Sequence, residues 1–338
     1  MKRGARHTMS KRTYMNPLKI ILVGILLAVI LAGCGKQSTQ TGSTAPFIGG
    51  TTGLVIDFEE DSPPAEVTDD GSYSFNTIVR LENRGEYKLQ PQQVRVSLEG
   101  FLPSDFSSSE GDLIDRQPSE ILEPRRRDAN GNVIDGTVTF VTIPSEGSSP
   151  LVPKKFTGNV QFPFRANVCY KYGTTANARI CVLKDLLNKQ SKAICDPNTG
   201  KSVASSSSPI QISGFRESVI GRDKISFSFD VIHSGNGNVF KSDTGDAVCP
   251  RDAREMRQSE DQVSVRVDAE GLNNLNCNFP TSGNAGFVRL ISGKRTITCT
   301  LDLSGQHNTD YEKIIDISAE FNYRDYKDKT VLVKHLIE

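Results

Sequence analysis

Apolar residues follow two different patterns along this chain. Between Ile20 and Ala32 they run unbroken, and beyond residue 52 they alternate with polar ones in short stretches. Phe75, Thr77, Val79 and Leu81 form one such stretch, which runs into Asn83-Arg-Gly85. Ile225, Phe227, Phe229 and Val231 form another, which runs into His233-Ser-Gly235. A period of two with one apolar face predicts half-buried strands, and glycine allows the turn that follows.

The two stretches belong to a longer internal repeat. Val94-Arg-Val-Ser-Leu-Glu-Gly100 is echoed by Val265-Arg-Val-Asp-Ala-Glu-Gly271, and Val138-Thr-Phe140 more weakly by Ile297-Thr-Cys299. Tyr170-Lys-Tyr172 matches Phe321-Asn-Tyr323 and Ile180-Cys-Val182 matches Val331-Leu-Val333, both at an offset of 151. Matching regions in one order indicate a duplicated domain. Turn signals such as Asn130-Gly131, Ser234-Gly-Asn-Gly237 and Ser282-Gly283 break each copy into about seven short strands. The expected fold is all-β: two tandem Ig-like Greek-key β-sandwiches after an N-terminal signal or anchor segment. The expected boundaries are a signal over 1–33, a tether over 34–51, sandwiches over 52–184 and 206–338, and an interdomain segment over 185–205. Residues 200–208, Gly-Lys-Ser-Val-Ala followed by four serines, read as a low-complexity divider. Asp185 to Ile194 and Asp252 to Gln262 are candidate short helices.

The unbroken run sets the expected location. Its thirteen residues fit a signal peptide and fall short of the ~20 needed to span a bilayer. Lys2, Arg3, Arg6, Lys11, Arg12 and Lys19 precede it, and Leu31-Ala-Gly-Cys34 closes it. This looks like a lipoprotein signal with its lipobox, so Cys34 is the expected lipidation site. The chain would then sit on the extracytoplasmic face of the membrane; an uncleaved N-terminal helix gives the same topology. Met15 offers a more compact start than Met1. The Gly/Ser/Thr-rich stretch after Cys34 reads as a coil of ~20–24 Å.

Charge and cysteines agree with export. Six of the 40 basic residues and none of the 40 acidic ones precede Cys34, so the remainder carries a net charge near −6. That argues against a nucleic-acid partner, which requires a basic face. Apart from Cys34, six cysteines remain, an even number that suggests disulfides in an exported chain. Cys169 and Cys181 flank Gly173-Thr-Thr-Ala-Asn177 symmetrically, as a cross-strand pair about a hairpin turn would. Cys277–Cys299 is the second expected bridge and Cys195–Cys249 the third. No metal-ligand spacing supports zinc.

Candidate chemistry is sparse. His7, His233, His307 and His335 have no ligand or nucleophile pattern around them, and no Gly-rich loop opens a helix after a strand. No catalytic residue and no cofactor is expected, and the chain is not read as an enzyme. Asp128-Ala-Asn130-Gly-Asn132-Val-Ile-Asp135 begins like a calcium loop, but Val133 and Thr139 stand where glycine and glutamate belong. It reads as a hairpin turn with Asn130 and Gly131 at positive φ. Arg125-Arg-Arg127 and the acidic run Asp57–Asp61 read as solvated surface. The remaining classes are a structural or interaction module contacting a surface protein or envelope component, and a carbohydrate-binding module. Sugar platforms favour Trp, which this chain lacks; Tyr170, Tyr172, Tyr323 and Tyr326 are the substitutes. The loops Ser234–Asn238 and Thr281–Ala285 of the second sandwich are the expected partner contacts.

Val168-Cys-Tyr-Lys-Tyr172, Ile180-Cys-Val182 and Val288-Arg-Leu-Ile-Ser-Gly293 before Cys299 carry a family resemblance. Over most of residues 52–338 the chain resembles uncharacterised archaeal surface proteins with two Ig-like domains behind a signal or anchor. The resemblance implies a sandwich fold and a surface location. It implies no activity and no site residues.

Overall fold

Strands follow the alternating pattern through most of the chain. The first half contains β1 (Leu54–Phe58), β2 (Glu66–Thr68), β3 (Thr77–Asn83), β4 (Val94–Glu99), β5 (Arg126–Arg127), β6 (Val133–Ile134), β7 (Val138–Ile143) and β8 (Val160–Val182). The second contains β9 (Val203–Ser205), β10 (Ile210–Gly221), β11 (Lys224–His233), β12 (Asn238–Phe240), β13 (Gln262–Asp268), β14 (Leu275–Cys277), β15 (Ala285–Arg289), β16 (Lys294–Asp302) and β17 (Tyr311–Lys334). The structure, a computed structural model, describes residues 45–188, 193–272, 274–281, 283–306 and 308–336. The expected signal, Cys34, most of the tether, His7 and His307 lie outside the described residues. No described helix is long and apolar enough to cross a membrane.

The fold is all-β and layered as a sandwich. One outer sheet has the order β1-β3-β7 and belongs to the first half. Another, β10-β11-β16-β14, belongs to the second. A larger sheet carries the order β15-β13-β17-β8-β4, with β2, β9 and β12 added at its margins. Both halves contribute to it, because β8 and β17 pair antiparallel from Val160↔Val333 to Val182↔Tyr311. Lys171 lies opposite Asn322, its own repeat counterpart, so the two copies pair in the manner of an isologous dimer.

This shared sheet corrects three sequence expectations. First, residues 168–182 make no hairpin: β8 continues straight through Gly173-Thr-Thr-Ala-Asn177. Phe164, Ala166, Val168, Tyr170, Tyr172, Ala176 and Ala178 are all buried on one face, so a turn there would break a continuous apolar stripe. Gly173 sits mid-strand because a Cβ would run into the ring of Tyr87. Second, the halves are not independent sandwiches on a flexible divider. Residues Ala45–Glu338 form one compact unit with one continuous apolar core. Third, the serine-rich stretch is not a linker. Ser206, Ser207 and Ser208 are buried, and each finds a partner. Thr175 donates its amide to Ser206 Oγ at 2.9 Å, Ser207 Oγ donates to the Thr52 carbonyl at 2.8 Å, and Thr174 Oγ1 donates to Ser208 Oγ at 2.8 Å. Small hydroxyls thus form a satisfied polar seam between the halves.

The expected tether is also shorter. Glu86 accepts hydrogen bonds from the amides of Ile48, Gly49 and Ser207 at 2.9, 2.9 and 2.7 Å, which docks the chain from Ile48 onward. In β7 the inward residues are Thr139, Val141 and Ile143, while Val138 and Phe140 face outward. The repeat match of Val138-Thr-Phe140 to Ile297-Thr-Cys299 is therefore out of phase: Val79 opposes Val141 as its counterpart Phe229 opposes Ile297.

Of the expected helices, one forms over Ala253–Ser259, with Asp252 accepting from the amides of Arg254 and Glu255. Residues 185–188 make bends instead, where Asp185 accepts from the amides of Leu187 and Asn188 at 3.1 and 3.2 Å.

Two of the three expected disulfides are corrected. Cys169 and Cys181 stand on one straight strand, twelve residues and about 40 Å apart. Cys169 bonds Cys249, with Cα atoms 5.8 Å apart, and Cys181 bonds Cys195 at 5.7 Å. Cys277 bonds Cys299, its directly opposed partner in the β14–β16 pairing.

Candidate functional site

The shared sheet buries one face against the outer sheets. Its other face carries the polar positions of β4, β8 and β17, aligned in rows by the register. Arg95, Cys169 and Arg324 form one row across three strands. Ser97, Asn167 and Tyr326 form the next, and Glu99, Arg165 and Asp328 the third.

Residues 241–252 cross this face as a strap. The Lys241 carbonyl accepts from Asn322 Nδ2 at 2.9 Å, and the Thr244 carbonyl accepts from Lys171 Nζ at 3.2 Å. Cys249 is bonded to Cys169, so the strap of the second half is fixed covalently to a strand of the first. Beyond the bond, Arg251 donates to Ser97 Oγ and to Asp115 Oδ1, both at 3.0 Å. The strap and sheet enclose a cleft of about 490 Å³, lined among others by Arg95, Ser97, Glu99, Asn167, Arg251 and Arg324.

The arginines of the cleft are unequally paired. Arg251 pairs with Asp115 at 3.0 Å. Arg95 reaches Asp246 only at 3.7 Å. Arg324 has no carboxylate within 4.0 Å among the described residues; it donates to the Pro250 carbonyl at 3.0 Å and lies 4.8 Å over the Phe240 ring. Glu99 accepts from Asn167 Nδ2 at 3.1 Å. In the outer row, Arg165 grips Asp328 through two bonds of 2.7 and 2.9 Å and lies 4.0 Å over the Tyr326 ring. The guanidinium beside Asp328 holds that carboxyl below the usual carboxylate range.

The sequence candidates fall elsewhere. Tyr170, Tyr172 and Tyr323 are core residues whose burial pushes their hydroxyl pKa values up. They form no sugar platform, whereas Tyr326 is 54% exposed. In the loop Ser234–Asn238, Gly237 donates its amide to the Tyr323 hydroxyl at 2.7 Å. That loop and residues 51–56 border a second cleft of about 290 Å³ between the halves, so it is not a free tip. In Thr281–Ala285, the Gly283 carbonyl accepts from the Cys277 amide at 2.8 Å, and residue 282 lies outside the described residues.

Asp128 caps a hairpin turn, accepting from the amides of Asn130 and Asn132 at 2.8 Å each. Gly131 has φ 86°, but Asn130 is not at positive φ, which corrects that part of the turn reading. Arg126 and Arg127 are exposed on this hairpin, and Arg125 pairs with Asp135 at 3.5 Å. Asp57 pairs with Lys327 at 3.2 Å. His335 Nδ1 lies 2.8 Å from the enclosed Asp69, whose carboxyl is held down to about 2, chiefly by the amide of Phe156 and then by His335.

Arg95, Arg251 and Arg324 escaped the sequence reading. Their positions on polar strand faces and in a loop carry no motif, and only the register and the Cys169–Cys249 bond bring them together.

No family model matches this chain, and no curated protein matches it. Among solved structures, an enterococcal surface protein, partial N-terminal region, is similar at 7% sequence identity, covering 90% of this chain and 98% of that one, with a TM-score of 0.16. A likeness of that size carries no argument.

Proposed function

We propose that this chain is an extracytoplasmic, membrane-tethered module of adhesion type, which holds a rigid recognition surface toward an envelope component or a partner at the cell surface. The observation that carries the reading is the β8–β17 pairing, which makes one stiff body of the two copies. Three disulfides suit an oxidising compartment, and one of them ties strap to sheet beside the cleft. The lipobox-like Leu31-Ala-Gly-Cys34 supplies the tether. Rigid scaffolds presenting polar, convergent groups are suited to recognition.

The test is surface labelling together with anchoring. A membrane-impermeant biotin reagent applied to intact cells should label the protein, and Cys34→Ser should release it from the membrane fraction or leave a larger precursor. Labelling only after lysis would overturn the location. An unmodified Cys34 with an intact N-terminus would overturn the lipid tether.

A further inference from the structure

The cleft under the strap has a chemistry of its own. Strands about 4.8 Å apart place the backbones of Arg95 and Arg324 about 10 Å from each other across Cys169. Among the described residues neither guanidinium has a carboxylate closer than the 3.7 Å of Arg95 to Asp246, which is itself 56% exposed; Arg95 otherwise meets the side-chain amide of Gln117, and Arg324 the Pro250 carbonyl and Met256 Sδ, all uncharged groups. The adjoining row offers Ser97 and Asn167, both in the lining of the cleft.

We propose that this cleft binds a carboxylated saccharide. The guanidinium fork matches a carboxylate bidentately, which lets Arg95 or Arg324 take the acid group. Asn167, Ser97 and Glu99 offer both donors and acceptors to ring hydroxyls at the same level of the sheet. The acids in and around the cleft fit this division. Asp115 is held by Arg251, Asp246 lies loosely by Arg95, and Glu99 remains an acceptor for hydroxyls. An acidic peptide would satisfy the arginines but leave the hydroxyl-binding row unused. The proposal rests on the extracytoplasmic reading above, since such polymers are met outside the cytoplasm.

The test uses the full disulfide-bonded chain, titrated at low salt with polygalacturonate, hyaluronan and polysialic acid. Methyl-esterified polygalacturonate and poly-L-glutamate serve as controls. At least one carboxylated polymer should bind, about tenfold more tightly than either control. Arg324→Gln and Arg95→Gln should each weaken binding by about tenfold. Asn167→Ala, which removes a hydroxyl-binding group and no ion pair, should weaken it several-fold with unchanged thermal stability, which keeps the test valid if the first two unfold. Arg126→Gln with Arg127→Gln, on the β5–β6 hairpin, should change nothing. No binding to any of the three polymers, equal binding to poly-L-glutamate, or equal loss in the hairpin variant would overturn the proposal. Surface labelling without binding would refute this ligand alone; binding without surface labelling would refute the location alone.

Discussion

Tyr172 donates its hydroxyl to Oδ1 of Asn83 at 3.1 Å, inside the core. Asn83 in turn donates through Nδ2 to the carbonyls of Tyr87 and Leu122 at 2.8 and 3.1 Å, and Oδ1 also accepts from the Gly85 amide at 3.2 Å. The second copy repeats the device with other atoms. The Tyr323 hydroxyl lies 3.1 Å from His233 Nε2 and accepts from the Gly237 amide. In both copies a tyrosine from the long strand grips the end of an outer-sheet strand. Gly85 and Gly235 follow, because a Cβ at either would run into the tyrosine hydroxyl.

Breaking this grip should cost stability in a fixed order. Tyr172→Phe leaves Asn83 Oδ1 with one donor and should cost ~1–2 kcal/mol. Asn83→Ala takes the acceptor from both the Tyr172 hydroxyl and the buried Gly85 amide and the side-chain donor from the Tyr87 carbonyl, while the Leu122 carbonyl keeps the Leu89 amide, and it should cost more, ~2–4 kcal/mol. Urea unfolding with an unchanged m-value checks both. Equal costs would show that Asn83 acts through Tyr172 alone.

Two buried groups should tilt stability with pH in opposite directions. Burial raises the Glu217 carboxyl from 4.5 to about 7, against the opposing pull of the Cys181 amide and Lys201. Between those values the folded state holds the extra proton. Its contribution is therefore full below about 4.5 and is lost as pH rises through about 7. Burial lowers His233 below its usual 6.5, so the unfolded state binds the extra proton there, and stability falls as pH drops below about 6.5. Glu217→Gln should flatten the loss as pH rises from about 4.5 to about 7, and His233→Asn, the residue of the other copy, should flatten the loss as pH falls below about 6.5. Unfolding midpoints measured from pH 5 to 8 decide this; slopes unchanged by either variant would refute it.

Much of the outer layering is legible in the sequence, while the joining of the halves is not. Phe75 to Leu81 and Ile225 to Val231 announce half-buried strands by period alone, and the matched Tyr172 and Tyr323 announce a role in the fold. β8 and β17 were harder to see, because Gly173 mid-strand carries the same signal as a turn. The reason for that glycine is Tyr87, a residue far along the chain. Ser206 to Ser208 have linker composition, and their burial depends on partners such as Thr52 and Thr174 that no local pattern reveals. The arginine cleft is invisible for the same reason: Arg95 and Arg324 meet only through the register of three strands.

Removing the second half should unfold the first. In residues 45–184 alone, β8 would lose its hydrogen-bonded neighbour along its whole length, and the apolar face around Tyr170 and Tyr172 would lose Phe321 and Tyr323. A chain ending at 184 should lack a cooperative thermal transition, whereas the whole chain should unfold in one step. A cooperative transition in the shortened chain would show that the copies are separable domains after all.

The disulfide pairing gives the last prediction. Non-reducing peptide mapping should find Cys169 with Cys249 and Cys181 with Cys195. The two bridges close loops of different size, with sequence separations of 80 and 14. Chain entropy assigns about 4.5 kcal/mol to the longer loop and about 3 kcal/mol to the shorter. Replacing Cys169 and Cys249 together by serine should therefore destabilise more than replacing Cys181 and Cys195. It should also free the strap over the cleft, so that amides of residues 241–252 exchange with solvent faster than in the intact protein. Cys181 and Cys195 lie away from the strap, and their removal should leave that exchange unchanged. A map that joins Cys169 to Cys181, or strap exchange that responds equally to both double variants, would refute the staple assigned to Cys249.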